Sequence, residues 1–155
     1  MIVPEFKNIG LVGRPDHAGV VSSLERLMSY LSKKDLHIIT DIGTAKLLEN
    51  PPPEIVSKTD LSVSCDLLIV VGGDGSMLNV SKYVASSNVP VIGVNRGKLG
   101  FLTDILPDEI ESKVDDVLSG LYDVEKRFLL DIALVKDNEN AYLGSALNDV
   151  VLHPG

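Results

Sequence analysis

Tryptophan is absent from the chain, cysteine occurs once, and aromatic residues make up only 5% of it. The single Cys65 excludes an intramolecular disulfide framework. It sits just before the apolar run 67–71, where a packed thiol is expected rather than a nucleophile. Histidine is scarce too, and His17, His37 and His153 are too scattered to form a metal-ligand pattern. No apolar tract is long enough to span a bilayer, and the amino terminus lacks the basic-then-apolar order of a signal peptide. A cytoplasmic protein with no membrane partner is expected. Positive charge is also in short supply: 14 Lys and Arg stand against 22 Asp and Glu, a formal charge of −8. That balance disfavours a nucleic-acid groove, because neutralising phosphates supplies most of non-specific binding. Local basic positions can still serve a small anion.

What is present is α/β in pattern. The 155 residues allow one ordinary domain, or one domain and part of another. The run 7–12 (KNIGLV) reads as a first strand, and Gly13-Arg14-Pro15-Asp16 as its turn. Val20, Leu24, Leu27, Met28 and Leu31 recur at helical spacing, on a helix ending near Lys33-Lys34. A second strand at 36–40 completes a βαβ crossover, parallel and right-handed by rule. Residues 42–64 hold a short helical candidate at 44–49, three consecutive prolines and a polar stretch, and read as a mobile surface excursion.

The continuous run 66–71 (DLLIVV) has the composition of a strand covered on both faces, and is expected at the centre of the fold. A helix over 76–86 should turn Met77, Val80 and Val84 inward, and 89–94 is the next strand. Pro107-Asp108-Glu109 opens a further helix carrying Ile110, Val114, Val117, Leu118 and Leu121. After Gly120 the period changes to two: Phe128, Leu130, Ile132 and Leu134 alternate, a polar turn follows at 136–140, and 141–152 returns. This predicts a β-hairpin, which is marginal alone. Residues 1–122 are therefore expected to form a doubly wound, mostly parallel α/β nucleotide-binding domain. Residues 123–155 are expected to be the start of an all-β domain cut early, so that the chain is a fragment.

Two glycine-spaced loops follow neighbouring strands, 72–76 and 95–103, and should face one another across a crevice. The first, Gly72-Gly73-Asp74-Gly75-Ser76, lacks the lysine of a Walker loop and the spacing of a dinucleotide fingerprint. Glycine amides at the start of a helix hold anions, so a carboxylate among them needs a reason. Asp74 alone allows three: a cap for the following helix, a ligand for Mg²⁺, or a base for a substrate hydroxyl.

Three segments in one order resemble the bacterial NAD kinases, the ATP-NAD kinase family. They are Gly72-Gly73-Asp74-Gly75-Ser76-Met77-Leu78, Gly93-Val94-Asn95-Arg96-Gly97-Lys98-Leu99-Gly100-Phe101-Leu102-Thr103, and Ala146-Leu147-Asn148-Asp149-Val150-Val151. The first loop alone is shared with diacylglycerol kinase-like and phosphofructokinase-like enzymes. The resemblance runs from near Lys7 to the last residue and covers the amino-terminal portion of the family. It implies ATP-dependent phosphorylation of the adenosine ribose 2′-hydroxyl of NAD to NADP, with Mg²⁺ or another divalent cation accompanying ATP. It further implies that Asp74 is the general base, that Gly72, Gly73 and Gly75 line the phosphate site, and that Phe101 and Leu102 pack against the NAD bases. Asn148 and Asp149 would hydrogen-bond ribose and adenine groups. The family often has Glu where this chain has Asp149 and Thr where it has Ser76; neither departure removes a required group.

Arg96 and Lys98 are candidate phosphate contacts, with plain solvation the competing reading. Phe101 is either a loop anchor or a ligand contact; Asn148 and Asp149 are either a strand end or adenosine contacts. Arg14 follows the first strand, and nothing local decides its role. A full-length homo-oligomer is expected, and the 1–155 chain alone is expected to be inactive. The alternatives are a related lipid or sugar kinase sharing the first loop, or a non-catalytic nucleotide-binding module.

Overall fold

The computed structural model describes residues 5–15, 18–97, 100–137 and 139–153. Chain contacts divide it into two compact units, Met1–Tyr122 and Asp123–Gly155. The first unit is built on a five-stranded parallel sheet. Its strands are β1 (Asn8–Gly13), β2 (His37–Asp41), β3 (Glu54–Val56), β4 (Leu67–Gly72) and β5 (Val91–Asn95), in the spatial order β3-β2-β1-β4-β5. The chain thus winds outward from β1 to one edge, returns beside β1 at β4, and proceeds to the other edge. Because every pair is parallel, all five carboxyl ends open on the same side of the sheet.

The period of two along the strands sends side chains to two separate cores. On one face, Ile9 and Leu11 of β1 and Leu67, Ile69 and Val71 of β4 meet α1 (Val20–Leu31) through Val20, Leu24, Leu27 and Leu31. Ile110 and Val114 of α5 (Ile110–Leu118) join the same cluster. On the other face, Val12, Ile39, Leu68 and Val70 pack with Leu61 of α3 (Lys58–Ser64) and Val80 of α4 (Asp74–Val84). All six residues of β4 are buried, which explains why its sequence is apolar without alternation. Each such Leu, Ile or Val contributes about 1.5–3 kcal/mol relative to exposure.

Polar pairs pin α1 to α5 at the surface. The Arg26 guanidinium donates to the Glu111 carboxylate and, through Nη1, to the Pro107 carbonyl at 2.7 Å, while Lys34 pairs with Asp115 at 2.7 Å. The hydrogen bond from Arg26 holds the Glu111 carboxyl below its ordinary value, and that from Lys34 does the same for Asp115. Cys65 is buried in the α3–α4 core, and burial pushes its thiol up to about 11, as befits a packed rather than a nucleophilic cysteine.

The stretch 42–64 is not the surface excursion its composition suggests. It contains α2 (Ile42–Ala45), the edge strand β3 and α3, and it covers part of the second core with Leu61, which has no exposure. β3 follows the prolines 51–53 directly and lies at the edge of the sheet. Ser57 then caps α3, accepting from the Asp60 N–H at 3.1 Å while its own hydroxyl reaches the Asp60 carboxylate at 2.6 Å. Leu121 is likewise not on a helix face. α5 stops at Leu118, Gly120 adopts φ 82°, and the Gly120 and Leu121 N–H groups turn back to the carbonyls of Val117 and Asp116. Leu121 is left 70% exposed.

The second unit is an antiparallel hairpin of β6 (Leu129–Lys136) and β7 (Glu139–Leu147), with a register shift at Ile132/Ala133. Ser145 Oγ donates to the Asp131 carboxylate across the pair at 2.8 Å. Arg127, at the entrance to β6, pairs with Glu125. No helix among the described residues is long and apolar enough to cross a membrane.

Candidate functional site

At the carboxyl end of β4 the chain runs through Gly72 and Gly73 directly into α4. Gly73 is the N-cap, extended at φ −107° and ψ −170°, and no side chain caps the helix. Gly72 has no room for a side chain, since a Cβ there would lie 2.2 Å from Ser76 Oγ. A Cβ on Gly75, by contrast, would meet nothing within 4 Å, so the first turn of α4 is open on that side. The first N–H groups of a helix have no intrahelical acceptor and remain available to an anion.

Asp74 is the first residue of α4, yet its carboxylate does not cap the helix. It is turned to the second loop, where Oδ2 accepts the Phe101 N–H at 2.8 Å and Oδ1 accepts the Leu102 N–H at 3.1 Å. The Thr103 hydroxyl stands 3.4 Å from Oδ1. Gly100 lies so close that a Cβ on it would be 2.3 Å from the carboxylate atoms. The loop is itself anchored at both ends. Arg96 N–H donates to the Gly72 carbonyl at 2.9 Å where it leaves β5, and Ile105 returns to bridge Val94. Thr103 is completely buried.

The two glycine-spaced loops therefore meet, and they bring together Gly72, Gly73, Asp74, Gly75, Arg96, Phe101 and Leu102. The Phe101 ring is 88% exposed, which removes the loop-anchor reading, while Leu102 is half-buried. Arg96 reaches α1: Nε donates to Ser23 Oγ at 2.7 Å and Nη2 to Ser22 Oγ at 3.2 Å. Lys98 and His17 lie outside the described residues. Asn148 and Asp149 belong to the hairpin unit. They do not interrupt a strand: β7 ends at Leu147, Asn148 takes φ 74°, and both side chains are exposed. Gly100 and Thr103 lie within the second motif, and the sequence alone assigns them no role. Their proximity to Asp74 spans 26 and 29 residues of chain, which no local pattern reports.

A parallel sheet ordered 3-2-1-4-5 defines a doubly wound α/β protein, and its glycine-aspartate turn lies at the carboxyl end of β4, beside the topological switch point where open α/β sheets generally bind ligands. Residues 9–122 match the family model described as the ATP-NAD kinase N-terminal domain, and the chain belongs to that family. It is 49% identical over 150 residues to the NAD kinase of Azotobacter vinelandii and 47% identical over 150 residues to that of Teredinibacter turnerae. Each alignment covers 97% of this chain and 51% of the relative, so the chain spans about half the length of the curated relatives it matches. The crystal structure of yeast NADH kinase complexed with NADH has the same fold. It matches with a TM-score of 0.75 at 21% identity, over 93% of this chain and 47% of that one.

Proposed function

We propose that this chain is the amino-terminal part of an enzyme that transfers the terminal phosphoryl group of ATP to the adenosine ribose 2′-hydroxyl of NAD. The observation that carries the reading is the orientation of Asp74, held by Phe101 and Leu102 amides beside an open glycine turn and an exposed aromatic ring. Family membership and the NAD kinase names of the relatives support the choice of acceptor.

Asp74 accepts the hydroxyl proton as the ribose oxygen attacks the terminal phosphorus. The bond to the bridging oxygen breaks and ADP leaves, so charge and protons balance with the carboxylic acid as the temporary proton store. Gly72, Gly73 and Gly75 present the start of α4 to the transferring phosphate. Phe101 and Leu102 pack on the NAD bases, and Asn148 and Asp149 bind ribose and adenine groups. Arg96 serves the nucleotide site by latching the second loop to α1. A divalent cation such as Mg²⁺ accompanying ATP would neutralise charge on the donor phosphates.

The reading is tested with a chain extended to the length of its relatives, offered ATP with NAD, diacylglycerol or fructose 6-phosphate. NAD should be the acceptor; phosphorylation of either other compound with NAD inert would replace this reading with a related kinase. The 1–155 chain alone should form negligible NADP, because it spans about half of its relatives.

A further inference from the structure

We propose that Thr103 is a positioning residue for Asp74: its buried hydroxyl closes Oδ1 of the carboxylate, so that Oδ2 is the oxygen left to take the ribose proton. This role rests on the kinase reading above, and it adds which oxygen acts and what holds it there. Each carboxylate oxygen offers two acceptor directions. At Oδ1 the Leu102 N–H takes one at 3.1 Å, and the Thr103 hydroxyl, 3.4 Å away, fills the other. At Oδ2 the Phe101 N–H is the one donor bound among the described residues, at 2.8 Å, and the second direction stays open.

The two oxygens differ in their surroundings as well. The bond to Phe101 lies on the exposed rim of the loop, beside the open aromatic ring, whereas those to Leu102 and Thr103 are part-buried. Thr103 has no exposure at all, so water does not serve its hydroxyl. A buried hydroxyl left without an acceptor is costly, and Oδ1 is the acceptor that this one reaches. The hydroxyl is thereby committed to the inner oxygen, and a substrate arriving from solvent meets the outer one.

Thr103 is itself seated by the sheet. A Cβ on Gly93 would lie 2.7 Å from Thr103 Cγ2 and 3.1 Å from its Cα, so Thr103 occupies the space that a glycine leaves on β5. Gly93 is paired with Val70 of β4, and its carbonyl accepts the N–H of Ile105, two residues beyond Thr103, at 3.1 Å. A β-branched side chain is stiff at χ1, so a methyl group held against the strand also fixes the direction of the hydroxyl oxygen. A rigid strand thus orients the hydroxyl, and the hydroxyl orients the carboxylate. In the reaction the ribose O–H proton passes to Oδ2 as the ribose oxygen bonds to the terminal phosphorus; the bond to the bridging oxygen breaks and ADP leaves.

A chain of the relatives' full length is assayed for NADP formation as Thr103→Val, Thr103→Ser, Asp74→Asn and the Asp74→Asn/Thr103→Val double variant. Thr103→Val keeps the shape and removes the hydroxyl, so kcat should fall roughly tenfold with KM for NAD within about twofold, as expected for one lost hydrogen bond to a charged group. Thr103→Ser keeps the hydroxyl and should stay within about threefold of the unsubstituted rate. Because Thr103 acts through the carboxylate, adding Thr103→Val to Asp74→Asn should lower kcat by no more than about twofold further. Unsubstituted turnover in Thr103→Val, an equal loss in Thr103→Ser, or losses that add in the double variant would overturn the assignment. If Thr103→Val does not fold, Thr103→Ser decides alone: a rate within about threefold upholds the hydroxyl, and a loss of roughly tenfold overturns it. The kinase reading fails separately, through an Asp74→Asn variant that turns over at the unsubstituted rate; an impaired Asp74→Asn beside an unimpaired Thr103→Val overturns the role of Thr103 alone.

Discussion

The strands β4 and β6 are both rich in leucine, isoleucine and valine, and they meet opposite fates. Every residue of β4 is buried between two layers of helices, whereas in β6 Leu134 is 55% and Val135 67% exposed. The hairpin is paired along a ladder with a register shift at Ile132/Ala133 and has a cross-strand Ser145–Asp131 contact, but among the described residues it has no layer of its own over its apolar side chains. Backbone pairing thus defines both units while burial stabilises only one, in keeping with the marginal stability of isolated two-stranded sheets. The candidate residues divide between the two units in the same way. Every group that orients Asp74 belongs to the first unit, so the geometry of the carboxylate is set by the α/β unit alone. Asn148 and Asp149 sit exposed beyond the last strand of the other.

The sharpest test of that contrast is a pair of truncations. Ile69→Ala, in the fully buried β4, should cost about 2–5 kcal/mol of unfolding free energy in urea. Leu134→Ala in the hairpin should change it by about 0.5 kcal/mol or less. Comparable losses would mean that the hairpin has a core of its own.

Gly100→Ala probes the junction of the two loops. The added Cβ would meet the Asp74 carboxylate at 2.3 Å, so the second loop must shift. A loss of about 1–3 kcal/mol is expected, together with faster hydrogen exchange of the Phe101 and Leu102 amides. Unchanged exchange at those amides would contradict the observed latch.

A smaller effect should appear in acid. Glu111 and Asp115 are lowered from ordinary values of 4.5 and 3.8 by their bonds to Arg26 and Lys34. Their stabilisation of the α1–α5 contact is present above those values and is lost as pH falls through the lowered ones. The groups are partly exposed, so the effect is modest. The unfolding midpoint of the α/β unit should decline on acidification below about pH 5, less steeply in a Glu111→Gln/Asp115→Asn variant. Identical slopes in the two proteins would show that other carboxylates govern acid unfolding.

The centre of this fold was legible because one short run, 66–71, carries its whole environment in its composition, and because α1 repeats leucine at helical spacing. The edge was less so. β3 has three residues behind three prolines, too few for a period, and the usable signal was the Ser57-to-Asp60 spacing that starts α3. Reading 42–64 as surface also hid Leu61, whose burial in the second core is created by the crossover and not by sequence proximity. For Asp74 the sequence supplied the residue and its turn but left a helix cap, a metal ligand and a base open. The cap is removed by the direction of the carboxylate, which is fixed by amides 27 and 28 residues further along the chain. In the last motif the polar pair was visible, but the end of β7 at Leu147 was not, because Val150 and Val151 continue the apolar pattern without continuing the strand.

The central claim is that Asp74 acts as the base for the ribose hydroxyl. Its most direct test is the Asp74→Asn substitution in a chain of the relatives' full length, with NADP formation and NAD affinity measured on the same preparation. The amide is nearly the same shape but accepts a proton poorly, so turnover should fall roughly 10²–10⁴-fold while the Kd for NAD stays within about twofold. Turnover at the unsubstituted rate would contradict the account.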